Sequence, residues 1–132
     1  MKECKVDHPE HYNSHPSGVE AIVIVENMSF GLGNAFKYVY RHKHKNGVED
    51  LEKAIWYLKR EIDNPIYDHR NPDYRYFGVY DAFLEILKHE EDDTVKQILD
   101  YIYYYFYTNK NSKELEKAVN LIQQLINEYD NV

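Results

Sequence analysis

The spacing of apolar residues is the strongest constraint on how this chain can fold. Over residues 48–63, Leu51, Ala54, Ile55, Leu58 and Ile62 recur at three- and four-residue intervals. That spacing puts them on one stripe of an α-helix and would scatter them over both faces of a strand. The same period runs through Val95, Ile98, Leu99, Ile102 and Phe106. The aromatic run at 101–107 is therefore predicted to be helical, although its residues favour strands taken singly.

Helix boundaries follow from polar punctuation. Three pairs have the spacing of a capping box: Ser17 with Glu20, Asn46 with Glu49, and Asn111 with Glu114. In each, a short polar side chain can bond an orphan backbone N–H while the acid reaches back. The pattern predicts helices over about 18–27, 32–42, 48–63, 76–89, 93–108 and 112–128. Val19, Ile22 and Val23 face inward on the first, and Leu32, Phe36 and Val39 on the second. A break falls at 28–33, a turn at 44–47, and Asn64-Pro65 ends the third helix. The expectation is an all-α bundle of about six helices in one domain spanning residues 1–132. It divides into an N-terminal arm (1–16), a helical core (17–63) and C-terminal helices (76–132). Asp50-Leu51-Glu52-Lys53-Ala54-Ile55 resembles Glu114-Leu115-Glu116-Lys117-Ala118-Val119, and each follows an aromatic-rich helix and a Lys-Asn turn. Two degenerate three-helix repeats are one way to read this.

Charge narrows the function classes. The net charge is −7, the opposite of the basic footprint of a general nucleic-acid binder. Residues 1–63 hold 9 Lys and Arg against 10 Asp and Glu, whereas residues 64–132 hold 7 against 13. Lys37, Arg41, Lys43 and Lys45 crowd one stretch of the first half with His42 and His44. A local basic patch on an acidic chain suits a small anion. With Cys4 as the single cysteine, no intrachain disulfide can form. The N-terminus lacks the apolar run of a signal peptide, and no stretch approaches the ~20 apolar residues of a membrane span. A cytoplasmic location is expected.

Common catalytic signatures are missing: the P-loop, G-x-G-x-x-G, H-E-x-x-H, cysteine-based zinc spacing and G-x-S-x-G. Glu49 and Glu52 give half of the paired acidic motif of all-α nucleotide pyrophosphatases, but Glu90 and Asp93 lie too far on to complete it. Three groups of polar residues remain. Asn34, Lys37, Tyr38 and Arg41 fall on one helical face, where Arg and Lys a turn apart can hold phosphate oxygens and Tyr can stack on a base. His8 and His11, with Tyr12, form a dense cluster able to contact a phosphate. Glu20 and Asp50 are carboxylates of the type that hold magnesium, each with a competing role in a helix first turn. Solvated faces and capping explain the same residues without function. The 14 Tyr suit core filling or a subunit interface, and the tyrosine-rich second half is the expected surface for a homo-oligomer.

H-P-x-H-Y (8–12), S-G-V-E (17–20), L-G-N-A-F-K-Y-V-Y-R (32–41), H-K-N-G (44–47) and E-D-L-E-K-A-I-W-Y-L-x-R-E-I (49–62) together resemble the SaV-like family of small, mostly phage-encoded proteins. The resemblance covers residues 8–63. That family includes a nucleotide kinase without a P-loop, acting on deoxynucleoside monophosphates. The resemblance thus implies phosphoryl transfer from ATP to a nucleoside monophosphate, with magnesium (Mg2+) as cofactor and nucleotides as partners. The matching polar positions are His8, His11, Tyr12, Glu20, Asn34, Lys37, Tyr38, Arg41, Lys45, Asp50 and Trp56. In the kinase reading His8, His11 and Arg41 act on the transferring group. Tyr12, Asn34, Lys37, Tyr38, Lys45 and Trp56 bind the nucleotide, and Glu20 and Asp50 hold magnesium. The alternative is a non-catalytic protein that sequesters a nucleotide signal or regulates a host enzyme.

Overall fold

A computed structural model describes residues 15–66, 77–107 and 111–130. The described elements are α1 (Ala21–Val25), α2 (Phe30–Arg41), a 3-10 turn (His42–His44), α3 (Val48–Asp63), α4 (Phe77–His89), α5 (Asp93–Tyr107) and α6 (Ser112–Asp130). No strand occurs among the described residues, so the chain is all-α as the periodicity predicts.

The expected first helix is much shorter than its pattern. Gly18 sits at φ +73, a left-handed conformation that cannot continue a helix. The Ser17 hydroxyl accepts from Val19 N–H at 3.1 Å and lies 2.8 Å from His15 Nδ1. Ser17 therefore builds a tight turn, and Glu20 takes the N-cap position of α1 without a side-chain cap bond. The inward face also shifts: Ala21 and Ile24 are buried, whereas Ile22 and Val23 are exposed.

Helix α2 begins earlier than its expected start because Ser29 caps it, its hydroxyl accepting from Leu32 N–H. Gly33 lies where α1 crosses α2. A Cβ there would stand 3.2 Å from the Val25 carbonyl, so a larger residue would push the two helices apart by a few tenths of an ångström. The cap of α3 is rearranged in turn. The carboxylate that reaches back is Asp50, accepting from Asn46 N–H at 3.3 Å, while Glu49 pairs with Lys53 at 3.3 Å. At α6 the Asn111 side chain accepts from Lys113 N–H at 3.0 Å, as an N-cap should.

Packing follows the apolar stripes. Helix α2 lies on α3, α5 on α6, α3 on α6, and α2 on α5. One core runs through all four, with Phe36, Leu51, Leu58, Ile98, Leu99, Ile102, Leu115 and Ile122 almost fully buried. Ile62 is only partly buried, and Glu61 takes the inward position beside it. In the aromatic run, Tyr103 and Tyr105 are absorbed by the chain's own core while Tyr104 and Tyr107 stay exposed. No described helix is long and apolar enough to cross a membrane.

Candidate functional site on the outer face of α2 and α3

Helical spacing puts Phe30, Asn34, Lys37 and Tyr38 along the outer side of α2, with the buried Arg41 a turn beyond them, and Glu49, Lys53, Trp56, Tyr57 and Arg60 along the outer side of α3. The two rows meet at Tyr38. Lys37 Nζ stands 4.8 Å from the centre of its ring, Arg41 Cζ 4.9 Å and Lys53 Nζ 5.5 Å. Ring quadrupoles attract cations, so Tyr38 gathers three charges that would otherwise repel. Lys37 feels the crowding. Burial lowers its pKa first, and the charges of Arg41, Lys45 and Lys53 lower it further against the opposing pull of Asp50. An anion seated here would relieve that repulsion.

Tyr38 also stacks on Tyr57, with centroids 6.1 Å apart and planes 17° from parallel. Through Tyr57 the cationic cluster adjoins a cavity of about 500 Å3 lined by Phe30, Gly31, Trp56, Tyr57, Arg60, Glu61, Asn64 and Ile66. Phe30 is 78% exposed and Trp56 55%, unusual for large apolar groups that serve only the core. Arg60 lies over the Trp56 ring at 5.0 Å. Glu61 closes the inner wall. Its Oε2 accepts from Ile66 N–H at 2.9 Å and from the Tyr105 hydroxyl at 2.6 Å.

Of the sequence-predicted residues, Lys37, Tyr38 and Arg41 come together, with Lys45 close enough to bias Lys37 and Trp56 lining the adjoining cavity. Asn34 is on the same helix, but its amide donates to the Phe30 carbonyl at 2.9 Å. Arg41 is buried, and its Nε faces Asp50 Oδ2 at 3.4 Å. Asp50 is completely buried and also meets Asn46. Glu20 stands at the start of α1, where its charge helps raise Tyr40. His8, His11 and Tyr12 lie outside the described residues.

Asp50 and Glu20 thus serve different neighbourhoods, and the Asp50 oxygens face Arg41 and Asn46. No group of three or more His, Cys, Asp or Glu able to hold a metal ion occurs among the described residues. As arranged, the described carboxylates do not fit a magnesium cage, and no step is derived through the ion.

Sequence reasoning missed Lys53, Phe30, Tyr57 and Glu61. Lys53 and Tyr57 were legible in principle, since each neighbours Trp56 on α3, one a turn before it and one beside it. Glu61 was not, because its partner Tyr105 is far along the chain.

A second polar cluster braces the N-terminal side of the bundle. His15 is buried and stacks on Tyr40 at 4.5 Å. Its Nε2 lies 3.1 Å from Glu90 Oε1. Lys43 Nζ reaches Asp92 at 3.4 Å. Burial pushes Glu90 upward, but His15, the Asp92 N–H and Lys43 together hold its carboxyl below the ordinary value. Burial pushes Tyr40 up to about 12, and its hydroxyl donates to the Val19 carbonyl. His42 Nδ1–H donates to the Val39 carbonyl at 2.7 Å, while burial lowers its pKa. These groups tie α1, α2 and the α4–α5 connection together.

No curated protein and no solved structure matches the chain significantly. Residues 6–59, which include α1, α2 and most of α3, match the model of a family described as a protein of unknown function, DUF3310.

Proposed function

We propose that the outer face of α2 and α3 binds a nucleotide, and that the chain is a phage-type nucleotide kinase working without a P-loop. The observation that carries the reading is the meeting of Lys37, Arg41 and Lys53 around Tyr38, beside an aromatic-lined cavity. Phosphates need cations, a base needs aromatic faces, and the Tyr38–Tyr57 stack joins the two.

In this reading Lys37, Lys45 and Lys53 hold phosphate oxygens. Arg41, pinned by Asp50, keeps a fixed positive charge behind them. The base lies against Trp56, Tyr57 and Phe30. Phosphoryl transfer needs mainly positioning and charge neutralisation. The γ-phosphoryl group of ATP would pass to a phosphate oxygen of a (deoxy)nucleoside monophosphate, giving ADP and the diphosphate. His8 and His11 are assigned to the transferring group by family resemblance alone.

The test is mass-spectrometric product analysis of the protein with magnesium, ATP and a panel of nucleoside and deoxynucleoside monophosphates. Diphosphates formed with matching ADP are the expected result. Unchanged nucleotides sink the kinase. Calorimetry on the same panel then decides the alternative, a non-catalytic nucleotide binder, which the burial of Asp50 against Arg41 and Asn46 favours. Absence of both products and binding removes the nucleotide reading.

A further inference from the structure

Helices α4 and α5 enclose a different cavity, of about 400 Å3. The rings of Tyr80, Tyr103 and Tyr107 form a triangle along it. Tyr80 is 6.2 Å from Tyr103 and 6.3 Å from Tyr107, and Tyr103 is 6.0 Å from Tyr107. Phe83 lies flat on Tyr103 at 4.1 Å and 6°, which fixes that ring in place. Tyr104 adds a fourth phenol to the lining, and Tyr80, Tyr104 and Tyr107 are each nearly half exposed.

Among the described residues that line this cavity, Asp100 alone is charged. Burial raises its pKa, and the charge of Glu114 raises it further, so its surroundings disfavour its negative charge. Lys117, on the neighbouring α6, is directed instead to Glu114 at 4.0 Å and to the Tyr101 ring at 5.6 Å. An anion on the α2–α3 face meets cations around a tyrosine. Here the electrostatics are reversed, with electron-rich ring faces and a carboxylate.

We propose that this cavity binds a small organic ammonium ion. Its alkyl groups pack on the tyrosine rings, and its charge is shared between the ring faces and Asp100. Aromatic faces attract such cations through their quadrupoles, most strongly where water is displaced, and the cavity lies in the size range of small-molecule sites. The occupant needs both properties: an apolar body to cover the rings and a positive charge to satisfy the carboxylate.

The test is calorimetric titration of the full chain with choline and with its neutral carbon isostere, 3,3-dimethylbutan-1-ol. Choline is expected to bind about tenfold more tightly than the isostere. Asp100→Asn and Tyr104→Leu should each weaken choline severalfold while leaving the circular dichroism spectrum and melting temperature unchanged. Equal affinity for choline and the isostere overturns the proposal, because the cavity is then merely apolar. So does the lack of choline binding at about 10 mM, including in a protein that light scattering finds self-associated. Wild-type choline affinity in both variants overturns it as well.

Discussion

In α2 the buried positions include Leu32, Ala35, Phe36, Val39 and Tyr40. In α5 Val95, Ile98, Leu99, Ile102 and Tyr103 are buried at the same spacing, and Tyr105 and Phe106 are buried beyond them. Leu51, Ala54 and Leu58 of α3 are matched in α6 by Leu115, Ala118 and Ile122. One exposed contact is matched too: Lys53 lies 5.5 Å over Tyr38, and Lys117 lies 5.6 Å over Tyr101. The halves part where the register puts Asp100 opposite Lys37 and Tyr104 opposite Arg41. Core positions are held by close packing, which tolerates little change in shape or volume. Lys37 and Asp100 lie outside that core, where a position is free to change sign, and chemistry resides in such differences. The first half gathers cations around Tyr38. The second offers aromatic faces and a carboxylate.

The largest way to break this comparison is at its most buried charge. Asp50→Ala leaves Arg41 buried without its partner, and unfolding in urea should show a loss of about 3–5 kcal/mol. Glu114, the matching acid of α6, makes a looser contact with Lys117 at 4.0 Å, so Glu114→Ala should cost about 0–1 kcal/mol. Equal losses would mean that the two acids do the same job. Next comes the clasp between halves. Tyr105→Phe removes the 2.6 Å bond to buried Glu61 and should cost about 1.5–3 kcal/mol, measured by the same unfolding experiment. A loss under about 0.5 kcal/mol would show that Glu61 does not depend on it. Trp56→Ala separates binding from folding. It should change stability by no more than about 0.5 kcal/mol while weakening nucleotide affinity by about 1–3 kcal/mol if a base stacks there. Unchanged affinity would move the base off the α3 face.

Much of this architecture is legible in the amino-acid order. The three-to-four period places α3, α5 and α6 to within a few residues, because long amphipathic stripes leave few alternatives. Helix α1 is misleading. Its Ser17–Glu20 spacing satisfies the capping pattern, yet the left-handed Gly18 ends the possibility of a helix there. A pattern of side chains does not report a backbone dihedral. In the candidate site, Lys37, Tyr38 and Arg41 are legible because one helix carries them. Glu61 and Phe30 are not, since their grouping depends on α3 lying against α2 and on Tyr105 arriving from α5. Asp50 shows the remaining gap. A carboxylate beside a basic stripe looks equally like a metal ligand and an internal counter-ion, and only its complete burial against Arg41 shows how it is engaged.

The smallest expected effect concerns the proton on Lys37. Burial and the charges of Arg41, Lys45 and Lys53 lower its pKa, against Asp50, which raises it. The folded state therefore gives up this proton at a lower pH than the unfolded chain does. Between the lowered pKa and the ordinary lysine value the unfolded state binds more protons, so this group's contribution makes stability rise with pH across that window. Nucleotide binding should run the opposite way. As pH climbs through the lowered pKa, the site loses one phosphate-binding charge and affinity falls, by less than about tenfold. Lys37→Arg keeps its charge throughout the range and should flatten the fall seen below the ordinary lysine value. The matching position, Asp100, lines the α4–α5 cavity instead of the α2–α3 face, so Asp100→Asn should leave the profile as it is. Affinity profiles measured by calorimetry for the wild type and both variants decide the point. A profile unaltered by Lys37→Arg would remove Lys37 from the phosphate site, and with it the sharpest difference between the two halves.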